Sequence, residues 1–330
     1  PAKPPSKTPD SRSHYNPCEF LAAPQAKFLA TSQIRQIMKI AFSHPTGNAN
    51  VRAAANGLLQ ADLLAEFHTS IACFPGSALG RLAEMPVFAE LKRRSFDKQL
   101  QNLTHTWPYK EAGRLLSTRM GLKNMLKHEK GRFCIDAVYR YVDGQVASGL
   151  KKSAQQGVDA IYAYEDGALA SFRAAKKLGV TCLYDLPIGY WRSARRFLLP
   201  EIEKWPDWAS TLTGFNDSDT KLSHKDEELR LADCIFVASS FTADTLNEYP
   251  GTLAPVKVIP YGFPPVREKL AGNSFAGNRP LKLLFVGGLS QRKGIADLFE
   301  AVRKVGRHAE LTIVGNKTTA HCPALDSELV

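Results

Sequence analysis

Two glycines and a basic pair near the end of the 330-residue chain are the residues best suited to chemistry. The glycines are Gly287 and Gly288, and the pair is Arg292 and Lys293. Glycines after a strand let a backbone come close to a ligand. The helix predicted next would direct unpaired N–H groups and the positive end of its dipole there. The pattern predicts a diphosphate site, although an ordinary strand–helix turn with a solvated basic pair has the same pattern.

The glycine loops do not match the phosphate motifs of other enzyme classes. Residues 281–305 contain neither a Walker A loop nor a full GxGxxG fingerprint. A dinucleotide-dependent oxidoreductase also needs an acidic residue about 20 positions after its glycines, and the sequence meets that test poorly. ATPase and NAD-dependent functions are therefore disfavoured, with the oxidoreductase kept as an alternative.

Three carboxylates follow predicted strands. Glu165 and Asp166 come after the strand Ala160–Tyr164, and Asp185 comes after the strand 180–184. Open α/β sheets place their ligands at the carboxyl ends of strands. The alternative is structural: Glu165 or Asp166 would cap the next helix, and Asp185 would cap a turn. We favour a cap for Asp166 and a functional role for the other two.

Two further stretches have a functional and a structural interpretation. Asp217 and Asp219 have the DxD spacing that can hold a divalent cation. They lie in a polar stretch, which favours a solvated loop or a helix cap, so no metal is predicted. Residues 190–197 mix aromatic and basic side chains. They predict an amphipathic helix or a contact with an anionic membrane, and no nucleic-acid motif accompanies them.

Composition indicates a globular protein with two domains. Length exceeds that of one ordinary core, and 44% of residues are hydrophobic. The charge balance, 43 − 32 = +11, suits anionic ligands. No apolar run approaches the roughly 20 residues that span a bilayer. The six cysteines form no close CxxC pair, which favours a reducing cytosol.

Strands and helices alternate from position 38, which predicts an α/β fold with mainly parallel sheets. Residues 1–37 are interpreted as a poorly ordered extension, 38–262 as the first Rossmann-like domain, 263–280 as a linker and 281–330 as the second domain. The predicted strands of the first domain are 38–42, 66–73, 160–164, 180–184, 234–238 and 256–260. Its predicted helices are 51–65, several between 80 and 130, one from 168 to 178, and two within 223–246.

The second domain begins with an apolar run, Leu281–Val286, which predicts a strand buried on both faces. A helix at Ile295–Val305 and a strand at 311–314, ending at Gly315, complete the pattern. The chain has 330 residues, so 50 follow position 280. Nucleotide-binding domains of this type usually need ~100 residues or more. We therefore expect an incomplete domain.

Four segments together resemble family-4 glycosyltransferases. They are VIPYG at 258–262, LFVGGLSQRKG at 284–294, LTIVG at 311–315 and LADCIFVAS at 231–239. The resemblance covers about 38–316 and is strongest from 228 onward. It implies the GT-B fold, in which two Rossmann-like domains face a cleft. It also implies transfer of a sugar, with retention, from a UDP- or GDP-sugar to an unknown carbohydrate or lipid-linked acceptor.

The resemblance assigns roles to residues of the second domain. A basic pair in this loop binds the donor diphosphate in the family, and Lys293 matches the family's lysine. Gly288 stands where the family usually has arginine, and Arg292 is expected to substitute because its planar fork can grip phosphate oxygens. Gly287 and Gly315 lie in the same donor-binding motifs. No cofactor beyond the nucleotide-sugar co-substrate is implied.

The resemblance also reaches the first domain. Gly47 resembles the family's glycine loop that approaches the donor, where Gly47, Asn48 and Asn50 could offer hydrogen-bond donors; a plain turn with a helix cap is the alternative. Family members often carry histidine where this sequence has Glu165 and Asp185. These carboxylates depart from the family's pattern, and we expect them to be catalytic because a carboxylate there could stabilise the sugar ring or accept the acceptor's proton.

One alternative to a complete enzyme follows from the same comparison. The family's downstream pair of glutamates is not clearly supplied after Asn316. The chain could therefore be an inactive or incomplete GT-B fragment that binds a nucleotide without catalysis. The expected location is the cytoplasm, with possible peripheral contact at a membrane.

Overall fold

The computed structural model describes residues 38–263 and 279–329, except for the side chains of 86–89. The predicted extension 1–37 and most of the predicted linker lie outside the described residues. We call 38–263 the large domain and 279–329 the small domain.

A seven-stranded sheet forms the large domain, and every neighbouring pair of strands is parallel. The strands are β1 Ile40–Ser43, β2 Leu64–Thr69, β3 Thr104–Thr106, β4 Ala160–Tyr164, β5 Thr181–Leu186, β6 Cys234–Val237 and β7 Val256–Val258. Their order is β3-β2-β1-β4-β5-β6-β7. The chain builds outward from β1 in one direction and then from β4 in the other. The predicted α/β class with a parallel sheet is confirmed.

The switch between β1 and β4 matters for function. In open parallel sheets, ligands bind beyond the carboxyl ends of the strands at such a switch point. The loops after β1 and β4 carry Gly47 and Glu165 respectively. Both loops therefore lie at the edge where a ligand is expected.

Helices cover both faces of this sheet. The α-helices are α1 Ala49–Gln60, α2 Ala78–Glu84, α3 Tyr109–Arg119, α4 Ile135–Gln155, α5 Leu169–Leu178, α6 Trp191–Lys204, α7 Asp219–Leu231 and α8 Ser240–Thr245. Short 3-10 helices lie at Pro86–Arg94, Lys98–Leu103, Lys123–Leu126, Pro206–Thr211, Thr213–Asn216 and Leu246–Glu248. Local chemistry fixes several ends: Ser239 accepts a hydrogen bond from Thr242 N, and Gly179 ends α5 in the left-handed region.

Strand side chains alternate between two apolar cores. Ile161 and Ala163 of β4 point into a core shared with α4 and α5. Phe42 of β1 and Tyr164 of β4 belong to the core on the opposite face, which α1 covers. Side chains of a strand point to opposite faces in turn. The residue after Tyr164, Glu165, therefore continues the face of Ile161 and Ala163.

The small domain is built around a two-stranded parallel sheet. Its elements are β8 Leu281–Val286, α9 Ile295–Val305, β9 Ala309–Val314 and α10 Pro323–Glu328, with short 3-10 helices at Gln291–Lys293 and Gly306–His308. Phe285 and Ile313 pack toward α9, whereas Leu284 and Val286 on the other face are 66% and 68% exposed. The prediction of a strand buried on both faces is therefore wrong for the described residues, because only one face of β8 has a packed layer.

A segment of the large domain completes the core of the small one. Trp208, 6% exposed, packs with Phe299, and their ring centroids are 5.9 Å apart. Ile295 and Leu325 lie in the same cluster. Lys204 and the indole N–H of Trp205 also bond the Asp297 carboxylate, at 2.6 and 3.2 Å. The two domains are therefore joined by a buried apolar contact as well as by polar ones.

Several predicted boundaries were wrong. The helix predicted over 51–65 ends at Gln60, because Asp62 adopts a left-handed conformation (φ 56°) and the chain enters β2 at Leu64. The short strand β3 was missed within 80–130, and α4 was not predicted. In the part of the chain that the structure describes, no helix combines the length and apolar character needed to cross a bilayer.

Candidate functional site

A cleft of about 290 Å³ lies between the two domains. Four cations and two carboxylates line it: Arg195, Lys225, Arg292 and Lys293 with Glu165 and Asp217. We call it the basic cleft. The residues 211–215 and the side chains of Trp191 and Leu198 form much of its wall. The excess of positive charge suits an anionic ligand.

The small domain contributes its basic pair to this cleft. Ser290 begins the short helix Gln291–Lys293 by accepting a hydrogen bond from Arg292 N at 3.3 Å. Its hydroxyl also donates to the carbonyl of Thr211 at 2.8 Å, which fixes the loop to the large domain. Arg292 and Lys293 are exposed, and neither has an acidic partner among residues 38–263 and 279–329. Their charges are therefore free to meet a ligand.

The three predicted donor-binding glycines have different positions. Gly288 lines the basic cleft. Gly287 and Gly315 instead lie where the ends of β8 and β9 approach each other. A Cβ on Gly315 would sit 1.7 Å from the Gly287 carbonyl oxygen, a distance that no real contact allows. These two glycines therefore have a packing role that is visible without any ligand.

The helix α9 does not present the open N-terminus that its sequence predicted. The side-chain oxygen of Gln291 accepts a hydrogen bond from Ala296 N at 2.9 Å. Gln291 is buried, and its amide donates to Glu201 and Asp297. The expectation that unpaired N–H groups of this helix face the gap is therefore wrong at Ala296. The side-chain cations Arg292 and Lys293 line the basic cleft beside this helix.

Glu165 enters the basic cleft from the turn after β4. Two buried carboxylates hold this turn by capping α5: Glu228 accepts hydrogen bonds from Ala168 N and Leu169 N, and Asp143 accepts from Ser171 N. The prediction that Glu165 or Asp166 caps this helix is therefore wrong. Glu228 and Asp143 occupy the helix end, which leaves Glu165 to face the cleft.

A buried ion pair sets the state of Glu165. Lys225 Nζ lies 3.3 Å from Glu165 Oε1, and both side chains are less than 9% exposed. Burial raises the pKa of Glu165 above its ordinary value, and the Lys225 charge opposes that rise. Burial lowers the pKa of Lys225, but the nearby carboxylates of Glu165, Asp166 and Asp217 raise it, and the net result is a pKa above the ordinary value. Glu165 can therefore exchange a proton closer to neutral pH than an exposed glutamate.

The Asp217–Asp219 stretch is a helix cap, as favoured from the sequence. Ser218 begins α7 and accepts a hydrogen bond from Lys221 N at 3.2 Å. His128, Glu129 and Asp217 come close enough to share a metal ion. Lys221 Nζ, however, lies 3.1 Å from the Asp217 carboxylate and already supplies a positive charge there. The arrangement gives no reason to assign a metal.

Residues 190–197 form the start of α6, as predicted for an amphipathic helix. Arg195 lies over the Trp191 ring at 5.3 Å and lines the basic cleft. Its Nε is buried and has no partner within the described chain. Phe197 and Leu199 are 45% and 50% exposed, and contact with a membrane stays a prediction.

Asp185 faces a second cleft, of about 190 Å³, on the other face of the sheet. We call it the tyrosine cleft; the residues that line it are Asn50, Ala53, Ala54, Tyr162, Tyr164, Asp185, 236–238 and 259–262. The Tyr162 hydroxyl donates to Asp185 Oδ2 at 2.7 Å, and Tyr164 is paired with Asp185 across the neighbouring strands. Burial raises the pKa of Asp185 to about 6. The prediction of a turn cap at Asp185 is therefore not what the structure shows.

The loop after β1 is a turn with a helix cap. Gly47 is buried with φ 56°, and its N–H donates to His44 Nδ1 at 3.0 Å. The Asn48 side chain accepts from Val51 N at 3.0 Å and begins α1. Neither Gly47 nor Asn48 is among the residues that line the basic cleft. Their donor-binding role stays a prediction, with the geometry of the structural alternative in place.

Sequence reasoning missed three residues that shape these sites. Lys225 pairs with Glu165 from 60 positions away, and no local pattern predicts that contact. Thr211 anchors the small domain through its carbonyl and hydroxyl. Burial lowers the pKa of His44 to about 4 and keeps its ring neutral. A signal was present for Lys225 alone: with Lys221, it forms an i, i+4 pair on one face of α7.

Comparisons with known proteins find similarity in structure only. No protein-family model matches the chain, and no curated protein sequence matches it. Among solved structures, it is similar to sucrose-phosphate synthase from Thermosynechococcus elongatus, with 16% identity and a TM-score of 0.47. That match covers 88% of this chain and 67% of the other.

Two further matches are also enzymes that transfer sugars, by their names. The lipopolysaccharide outer core galactosyltransferase WaaB is 13% identical, with a TM-score of 0.43 and coverage of 88% and 65%. UGT2 of Phytolacca americana, complexed with UDP-2-fluoro-glucose and pterostilbene, is 12% identical, with a TM-score of 0.41 and coverage of 84% and 71%. The chain spans about two thirds of the length of these proteins. At this distance the likeness does not by itself assign a function.

Proposed function

We propose that this chain is a GT-B glycosyltransferase that moves a sugar from a UDP- or GDP-sugar to a carbohydrate or lipid-linked acceptor, with retention. The observation that carries the proposal is the basic cleft, where Arg292 and Lys293 of one domain lie across from Glu165 of the other. The sequence motifs that resemble family-4 enzymes support the donor class and the stereochemistry.

The cations of the cleft would act on the donor diphosphate. Arg292 and Lys293 have no competing acidic partner in the described residues, so they can bind phosphate oxygens directly. Arg195 also lines the cleft and adds a third positive charge. When the bond between the sugar carbon and the diphosphate oxygen breaks, the electron pair stays on the diphosphate. Positive charge placed there stabilises the leaving group.

Glu165 is the carboxylate that we assign to the reacting sugar. The acceptor oxygen forms a bond to the sugar carbon, and its proton must leave. A Glu165 carboxylate can accept that proton or stabilise the positive ring, and Lys225 positions it. Asp185 faces the tyrosine cleft on the opposite face of the sheet, so we assign it no step at the basic cleft.

The proposal is tested by donor binding and by product formation. The folded protein is mixed with a panel of UDP-, GDP- and ADP-sugars, and its melting temperature is measured, because a ligand that binds only the folded state raises it. A UDP- or GDP-sugar is expected to stabilise, and transfer is followed by mass spectrometry with mixed sugar and lipid acceptors. No stabilisation by any donor would contradict the proposal. Stabilisation without transfer or hydrolysis would favour the nucleotide-binding fragment.

A further inference from the structure

We propose that the tyrosine cleft is a separate binding site for a hydroxyl-rich ring of pyranose size that carries no negative charge. This binding does not depend on the sugar transfer proposed above. If both hold, the ring bound here belongs to an acceptor or a product.

Charge excludes an anionic ligand from this cleft. No lysine, arginine or histidine is among the described residues that line it, and its one acidic residue is Asp185. A phosphate or carboxylate bound here would face that carboxylate without a compensating cation. The basic cleft, by contrast, is lined by four cations. The two clefts therefore select ligands of different charge.

Asp185 defines the hydrogen bonds that a ligand must supply. A carboxylate offers about four lone-pair positions. The hydroxyl of Tyr162 donates to it and leaves room for further donors. The group is partly buried, so the remaining acceptor capacity is best met by O–H groups of a ligand. Exposed Asn50, at the first turn of α1, adds an amide that can donate and accept.

Aromatic surface and size point to a ring. Tyr162 and Phe236 stack with centroids 5.4 Å apart and an interplanar angle of 8°. Both line the cleft, and Tyr261, 44% exposed, also lines it. Pockets for small molecules are mostly apolar, with a few polar groups that fix orientation. A volume of about 190 Å³ exceeds that of single water sites and is below that of most drug-sized pockets, so it suits one ring.

The test measures binding of simple methyl glycosides by saturation-transfer NMR and titration with the whole chain. A neutral methyl hexoside is expected to bind in preference to its 6-phosphate. Asp185→Asn is expected to weaken binding about tenfold, as for loss of a hydrogen bond to a charged acceptor. Asn50→Ala alters an exposed residue, so it tests the same site without risk to folding.

Controls separate this proposal from the sugar-transfer proposal. Asp244→Asn and Asn102→Ala change exposed residues outside the cleft and should leave glycoside binding unchanged. Donor binding at the basic cleft is measured on the same variants and should be retained in Asp185→Asn. Tighter binding of the phosphorylated sugar, or glycoside binding that survives both cleft substitutions, would overturn the proposal. Failure of nucleotide-sugar binding alone would affect only the proposed transfer.

Discussion

Tyr164 and Glu165 are consecutive residues whose side chains line different clefts. Tyr164 ends β4 and faces the tyrosine cleft, whereas Glu165 faces the basic cleft on the other side of the sheet. The alternation of strand side chains produces this division. The end of β4 therefore borders both the tyrosine cleft, which is lined by aromatic residues, and the basic cleft, which is lined by cations.

The first prediction concerns the basic pair, Arg292 and Lys293. Lys293→Ala and Arg292→Ala should each weaken binding of the stabilising nucleotide-sugar by about 10- to 100-fold, because each removes a charge-assisted contact to phosphate. Calorimetric titration measures the change. Lys282→Ala and Arg307→Ala remove exposed charges of the same domain outside the cleft and serve as matched controls. Equal affinities for all four variants would rule out the phosphate assignment.

Lys225 predicts a change in the pH dependence of the transfer. Its charge favours the carboxylate form of Glu165, so Lys225→Met should raise the pKa of Glu165 further. The acidic limb of the rate–pH profile, where activity falls as Glu165 binds a proton, should move to higher pH.

The controls for this experiment are Lys225→Arg and Lys176→Met. Arginine keeps the positive charge, so the acidic limb of the rate–pH profile of Lys225→Arg should lie close to that of the unmodified chain. Lys176 pairs with Asp233 on the surface, and its substitution should leave the limb in place. A lower rate with an unmoved limb in Lys225→Met would indicate a purely structural role.

His44 predicts a pH dependence of stability. Burial lowers its pKa to about 4, below the ordinary value of 6.5, so the unfolded chain binds the proton first. The stability from this group is full above pH 6.5 and is lost as the pH falls to about 4. The loss should reach about 3 kcal/mol.

His44→Asn keeps a side-chain acceptor for Gly47 N and should remove this part of the pH dependence. Urea unfolding between pH 4 and 7.5 measures it. The exposed His308→Asn is the control and should follow the unmodified chain. A His44→Asn profile parallel to that of the unmodified chain would contradict the assignment.

Trp208 predicts a large loss of stability. Its truncation to alanine removes most of the large domain's contribution to the small domain's core, and a change of this type costs about 3–5 kcal/mol. Chemical denaturation measures the loss. Leu116→Ala, at a residue 59% exposed, should change the free energy of unfolding by about 0.5 kcal/mol or less. Similar values for both variants would show that the interface is not packed as described.

Gly315 predicts a steric effect. Gly315→Ala should destabilise the small domain by about 1–3 kcal/mol, because the new methyl group would meet the Gly287 carbonyl. Gly149→Ala, in the middle of α4 with open space around it, should be neutral or stabilising. Unfolding by denaturant compares the two, and a neutral Gly315→Ala would refute the close approach of these loops.

Sequence patterns predicted strands of the sheet and the carboxyl edge at which the two clefts lie. Apolar runs identified β1, β4, β5, β6 and β8, since buried parallel strands are nearly continuous in apolar residues. Chain order then placed Glu165 and Asp185 at strand ends. The short strand β3 was missed because its residues, Thr104–Thr106, are polar and mostly exposed.

The partners of the site residues could not be predicted, because they come from distant parts of the chain. Gln291 N bonds Thr211 from 80 positions away, and Trp208 reaches the small domain before the predicted linker. The face on which each carboxylate lies also needed the register of β4 with β5. Tyr164 pairs with Asp185, which places these two, rather than Glu165, on one face.

Pro200 lies inside α6, where it removes a backbone donor, and the residues that bond the small domain begin directly after it at Glu201. The segment up to Thr211 is attached to the small domain by its indoles, carboxylates and carbonyls. Any rotation of one domain against the other that preserves the Trp208 contact must therefore move the segment 201–211 together with the small domain. The pivot for such a rotation would lie near Pro200, inside the large domain's own sequence.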